Sequence, residues 1–82
     1  VDLDAIDMSS APGVSAPNPA GLAARDVAAD LKQIGFAMEL ACLDFMELCP
    51  PHDEGGRTAR IAAHLFVSYL HGIGLRKPLP LV

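Results

Sequence analysis

Met38-Glu39-Leu40-Ala41-Cys42-Leu43-Asp44-Phe45-Met46-Glu47 is the stretch on which the fold turns. It is largely apolar, and Leu40 to Leu43 is unbroken, the pattern of a strand covered on both faces in a parallel sheet. Pro50-Pro51 stops it, and 50–56 is a loop. Working backward, Ala24, Val27, Ala28, Leu31 and Ile34 make one helical stripe within 23–34, and Gly35 is placed to end that helix. Working forward, 58–73 reads as a second helix with Ile61, Ala62, Leu65, Phe66, Tyr69, Leu70 and Ile73 around much of its circumference. Such a helix is expected to be buried on more than one side. At the front, Val1-Asp2-Leu3-Asp4 alternates like a strand, and 9–19, dense in Ser, Pro and Gly, is a long ordered loop. Lys77-Pro78-Leu79-Pro80 reads as an extended tail. The order is β-loop-α-β-α, the grammar of a parallel α/β fold.

An 82-residue chain holds one small domain at most. Two strands and two helices make a poor free-standing α/β domain, because a parallel strand buried on both faces needs neighbours on both edges. The chain also opens inside a strand. The expectation is therefore a C-terminal piece, 1–82, of a larger α/β domain whose upstream part is absent from this chain. Six Lys and Arg against ten Asp and Glu leave a net charge of −4, which excludes nonspecific nucleic-acid binding through displaced phosphate counterions. A hydrophobic share of 51% is too high for a disordered chain of this size. No apolar run approaches the roughly 20 residues that cross a bilayer, so no membrane partner is expected. Cys42 and Cys49 are too few for a disulfide scaffold; core and strand-end thiols, reduced in a cytoplasmic protein, are the expectation.

The chemistry sits in the acids. Asp2 and Asp4 are one residue apart, so on a strand their side chains share a face while Leu3 points the other way. They stand where that strand meets its loop, and ligands of open parallel sheets gather at the carboxyl ends of strands. Two carboxylates held this closely repel unless a cation or proton separates them, and an oxygen-rich site suits Mg²⁺ or Mn²⁺. A solvated Asp-rich turn is the bland alternative. Asp7 reads as a loop-capping side chain. Asp44, between Leu43 and Phe45, and Glu47, at the end of the second strand, form a second pair. A structural ion pair and a site for a cationic substrate beside a metal fit these residues equally. His52, His64 and His71 lack the spacing of a zinc set. His52, Asp53 and Glu54 read as a solvated loop cluster, and Arg57 and Arg60 as partners of those acids or as helix-docking side chains.

Two blocks resemble a known family. Asp2-Leu3-Asp4-Ala5-Ile6-Asp7, Ala11-Pro12-Gly13, Ala16-Pro17 and Gly21-Leu22 resemble the ureohydrolase signature of arginases, agmatinases and formimidoylglutamases. Leu43-Asp44-Phe45-Met46-Glu47-Leu48-Cys49-Pro50 is similar to that family's Asp-hydrophobic-x-Glu-x-x-Pro strand. The blocks stand in the family's order and separation and cover nearly the whole chain. Val14-Ser15-Ala16-Pro17-Asn18-Pro19 and Gly56-Arg57-Thr58-Ala59-Arg60 look most like formimidoylglutamases. Met8 stands where many members have Pro, and Cys49 where Asn is common.

The resemblance implies a three-layer α/β/α sandwich on a parallel sheet and a centre of two Mn²⁺ ions. Asp2 matches the carboxylate bridging both ions and Asp4 one that binds a single ion. Glu47 matches the acid that holds the substrate's guanidinium or formimidoyl nitrogen, and Asp44 a buried neighbour that orients metal ligands. The metals would lower the pKa of a shared water for attack on an amidine-type carbon. The implied reaction is hydrolysis of N-formimidoyl-L-glutamate to L-glutamate and formamide, a step of histidine degradation. Agmatinase, guanidinobutyrase or arginase activity are the alternatives, as is a non-catalytic fragment that folds only with a partner. The family's other ligands, a His and an Asp-x-His-x-Asp run, have no match here and are expected upstream of Val1. The chain alone is thus expected to be inactive. Its implied partners are a small amidine, the rest of the same fold or other chains, with a homo-oligomer compatible.

Overall fold

A computed structural model describes residues 1–76. The tail expected at Lys77-Pro78-Leu79-Pro80 lies outside the described residues. Two helices dominate: α1, Ala24–Ala37, and α2, Arg57–Gly74. Short 3₁₀ turns occupy Leu3–Ala5, Pro50–His52 and Glu54–Gly56. The extended segments meet at single-residue pairings. Asp2 with Met46, Ile6 with Leu22 and Asp7 with Asn18 are parallel, and Val14 with Leu48 is antiparallel.

The parallel relation between the first segment and the apolar stretch ending at Met46 is therefore present. The Leu3 N–H donates to the Met46 carbonyl at 3.1 Å, and the Met46 N–H donates to the Val1 carbonyl at 2.9 Å. The continuous double-covered strand is not. Leu43 and Phe45 are half-buried against the core, whereas Cys42, Asp44 and Met46 are exposed. That alternation is the signature of a segment covered on one face only. The physical cause is that the described residues supply one neighbouring segment and one layer of helices. Cys42 is accordingly an exposed thiol rather than a core one, and Cys49 is half-buried.

The core gathers Leu3, Ile6, Ala11 and Val14 from the first segment and its loop, Ala28 and Leu31 from α1, and Leu65 from α2. Leu3, Ile6 and Leu65 are almost wholly removed from water, each contributing about 1.5–3 kcal/mol of transfer free energy. On α1 the buried positions Ala28, Leu31 and Gly35 recur at helical spacing. On α2 Thr58, Leu65 and Gly72 do the same, flanked by half-buried Ile61, Ala62 and Tyr69. Only this seam of α2 is covered: Phe66, Val67 and Leu70 are exposed, against the expectation of burial on several sides. The Phe66 ring meets Phe45 edge to face at 6.3 Å, which ties α2 to the extended stretch.

Gly35 does not end α1; the helix runs two residues past it, to Ala37. Its role is contact. A Cβ on Gly35 would collide with the Tyr69 carbonyl oxygen of α2, and a Cβ on Gly72 would collide with the Lys32 carbonyl oxygen of α1. The helices cross backbone against backbone at these two glycines. Arg76, just beyond α2, then donates to the carbonyls of Gly35 (Nε, 2.7 Å) and Met38 (Nη2), covering acceptors that the end of α1 leaves without helical partners.

Candidate metal and substrate site

Asp2 marks where the extended segment stops. It caps the turn Leu3–Ala5, its Oδ1 accepting from the Asp4 N–H at 3.1 Å. The two acids are thus brought together by a tight turn rather than by the pleat of a strand. Leu3 between them is buried, so the opposition of faces expected from the sequence persists. The Asp4 carboxyl is held above its ordinary pKa. Hydrogen bonding to the Asp2 side chain is the largest cause, followed by burial and by the negative charges of Asp2 and Glu47. Negative charge is therefore concentrated at Asp4 from two sides.

Glu47 has φ 78°, the one non-glycine residue in the left-handed region among those described. Such a conformation costs a bulky residue about 1–3 kcal/mol and persists where neighbours fix it. Here both sides are fixed. Met46 is held to the first segment through its N–H and its carbonyl, and the Cys49 N–H donates to the Gly13 carbonyl at 2.8 Å. The pairing switches from parallel at Met46 to antiparallel at Leu48, and Glu47 is the residue at which it switches.

Asp44 is not buried among apolar neighbours. Its side chain is 68% exposed, and its carbonyl accepts from the Val1 nitrogen at 2.8 Å. Asp7 behaves as a loop cap: Oδ2 accepts from the Ser9 N–H and Oδ1 from the Gly21 N–H, each at 3.0 Å. The Ser9 side chain and these two N–H groups hold its carboxyl below the usual carboxylate range.

His52, His64 and His71 are exposed. Among the described residues no three His, Cys, Asp or Glu side chains come together as a metal site. The neighbouring carboxylates of Asp2 and Asp4 are hard oxygen donors, a donor type that fits Mn²⁺.

Two residues escaped the sequence reading. Asp53 is no solvated bystander: it accepts from the N–H groups of Thr58 (2.7 Å) and Ala59 (2.9 Å) at the start of α2. Burial pushes the Asp53 carboxyl up, but these bonds, the Thr58 hydroxyl and the Arg57 charge outweigh it and hold the group low. Arg57 reaches back to the Ser9 carbonyl at 2.5 Å. Thr58 is completely buried, and its Oγ1 accepts from the Gly13 N–H at 2.7 Å. A Cβ on Gly13 would lie only 2.6 Å from Cβ of Asp53, so the Pro-Gly loop closes on the α2 entry because residue 13 has no side chain. The available signal was an Asp shortly before a helix that opens on Thr.

The Arginase family model matches residues 1–72. The chain belongs to the arginase family. Proclavaminate amidinohydrolase of Streptomyces clavuligerus is 38% identical over 77 residues, covering 87% of this chain and 22% of that protein. The crystal structure of formimidoylglutamase from Bacillus subtilis superposes with a TM-score of 0.89 at 33% identity, covering 95% of this chain and 24% of that one. Formiminoglutamase from Trypanosoma cruzi, in a structure with Mn²⁺, gives a TM-score of 0.85 at 30% identity, covering 93% of this chain and 25% of that one. This arginase-family chain thus spans about a quarter of the length of the proteins it matches and shares their arginase-like α/β fold. No helix among its described residues is long and apolar enough to cross a membrane.

Proposed function

We propose that residues 1–82 form the C-terminal part of a single ureohydrolase domain, a three-layer α/β/α sandwich on a parallel sheet, whose complete form hydrolyses the C–N bond of a linear amidine. The substrate we assign is N-formimidoyl-L-glutamate, giving L-glutamate and formamide. The observation that carries this reading is the acid cluster: Asp2 and Asp4 joined across one turn, with Glu47 adding its charge at Asp4. Like charges so placed call for a cation. Similarity to formimidoylglutamases supports the substrate, and the Mn²⁺ in the Trypanosoma cruzi relative supports the metal.

Asp2 and Asp4 would hold the Mn²⁺ centre, with the remaining ligands supplied by the rest of the domain. A metal pair there would supply the activated water for attack on the amidine carbon. Glu47 would accept from the cationic nitrogen of the substrate and hold the reacting carbon in place; a carboxylate is acceptor-only and pairs well with an amidinium. Asp44 would orient its neighbours once the domain covers it. The exposed Leu22, Met46, Leu48, Phe66, Val67 and Leu70 support the need for that cover, since apolar surface on this scale is where more protein packs.

The test is a substrate panel on the complete protein loaded with Mn²⁺: N-formimidoyl-L-glutamate, arginine, agmatine and 4-guanidinobutyrate. Formamide release from the first at the highest kcat/KM is the expected result. Preference for a guanidine would move the assignment to another branch of the family, and inactivity on all four would overturn it.

A further inference from the structure

We infer that Thr58 is a positioning residue for Glu47, acting across the Pro-Gly loop; the inference rests on the substrate-binding role proposed for Glu47. Four observations form one path. Thr58 is 0% exposed, and its hydroxyl oxygen accepts from the Gly13 N–H at 2.7 Å across 45 residues of chain. The Gly13 carbonyl in turn accepts from the Cys49 N–H at 2.8 Å. Val14 and Leu48 pair beside this bond. Glu47, next in the chain, is then caught between that pairing and the one at Met46, with φ 78°.

A left-handed glutamate relaxes toward negative φ unless both flanks are held. The Met46 flank is held by the first segment, directly beside Asp2. The Cys49 flank is held by the Gly13 carbonyl, and Gly13 is held by Thr58. Asp53 fixes Thr58 in turn, accepting from its N–H at 2.7 Å. The α2 entry thereby sets the direction in which Glu47 leaves the backbone. Removing the Thr58 acceptor leaves a buried N–H on Gly13 unpaired, and the loop must shift to find another partner. A shift of about 1 Å at a substrate-orienting group is enough to cost a large factor in rate.

The experiment is a double-mutant cycle in the complete, Mn²⁺-loaded protein with N-formimidoyl-L-glutamate. Thr58→Val keeps the volume and deletes the acceptor; Thr58→Ser keeps the acceptor. Expected are a KM raised about tenfold in Thr58→Val with bound Mn²⁺ unchanged, and Thr58→Ser within about threefold of the parent. In the Glu47→Gln background Thr58→Val should add little, because the group it positions is already disabled. Full additivity of the two substitutions, loss of Mn²⁺ in Thr58→Val, or unchanged kinetics in a folded Thr58→Val each overturn the inference. If Thr58→Val does not fold, Thr58→Cys, a poor acceptor of smaller volume, takes its place in the same cycle with the same criteria. An unsubstituted protein inactive on every amidine would instead sink the functional reading, so the two failures are distinguishable.

Discussion

The backbone N–H of Asp4 donates to Oδ1 of Asp2 at 3.1 Å, so one tight turn keeps the two acids side by side. Hydrogen bonding to Asp2, burial, and the charges of Asp2 and Glu47 all push the Asp4 carboxyl toward its protonated form. A cation bound beside Asp4 would favour its charged form, which is what the metal role proposed for Asp2 and Asp4 requires.

Glu47 should be separable from that metal role. Glu47→Gln keeps the shape and removes the charge that stabilises a cationic substrate through the attack. In the complete protein we expect bound Mn²⁺ to stay at the parental level and kcat/KM to fall at least about a hundredfold, roughly 3 kcal/mol of transition-state stabilisation. Loss of a metal would make Glu47 a ligand, and unchanged kinetics would make it a structural acid.

The glycine crossing gives a prediction whose sign is informative. Alanine in place of glycine inside a helix ordinarily stabilises by about 1 kcal/mol. At Gly72 the new Cβ would strike the Lys32 carbonyl oxygen, backbone that cannot step aside. Gly72→Ala should therefore destabilise the complete protein by about 2–3 kcal/mol, read from its denaturant midpoint. A midpoint that rises would show that the helices do not cross at these residues.

Asp53 supplies a pH dependence. Although burial raises its carboxyl, the N–H groups of Thr58 and Ala59, the Thr58 hydroxyl and Arg57 leave it below the ordinary aspartate value. A lowered folded pKa means stability that is present above the unfolded value, about 3.9, and lost as pH falls through the folded one. Asp53→Asn should lower Tm at pH 7, and the gap to the parent should close below pH about 4. A gap that stays constant down to acid pH would remove the charge from the account.

How far the sequence carried this reading depended on the range of the interaction. Local periodicity located both helices, through Val27, Leu31 and Ile34 in one and Ile61, Leu65 and Tyr69 in the other. It misread Gly35 as a terminator because a missing side chain looks the same whether it frees the backbone or admits a neighbouring helix. The apolar run to Met46 read as a strand covered on both faces, but among the described residues it pairs with the first segment at Met46 alone. The exposure of Cys42 and Asp44 depends on which layers cover the run, which no local pattern encodes. Asp2 and Asp4 stood out by their spacing, whereas the metal role proposed for them comes from the resemblance to the ureohydrolase signature. The left-handed turn at Glu47 and the buried Thr58–Gly13 bond were invisible, since both arise from segments distant in the chain.

The exposed apolar surface bears on the chain by itself. With Phe66, Val67, Leu70, Met46 and Leu48 open to water, the isolated 82-residue chain should aggregate, stay unfolded or need other chains. Size-exclusion chromatography with a thermal melt checks this; a monomer with one cooperative transition would mean that the segment is autonomous.

If Asp2 and Asp4 are metal ligands, metal analysis of the complete protein will show it. Parent, Asp2→Ala and Asp4→Ala should be purified, loaded with Mn²⁺, desalted and measured for bound metal per folded chain. Two Mn²⁺ are expected in the parent and a clear loss in both variants. Full metal content in either folded variant would contradict it.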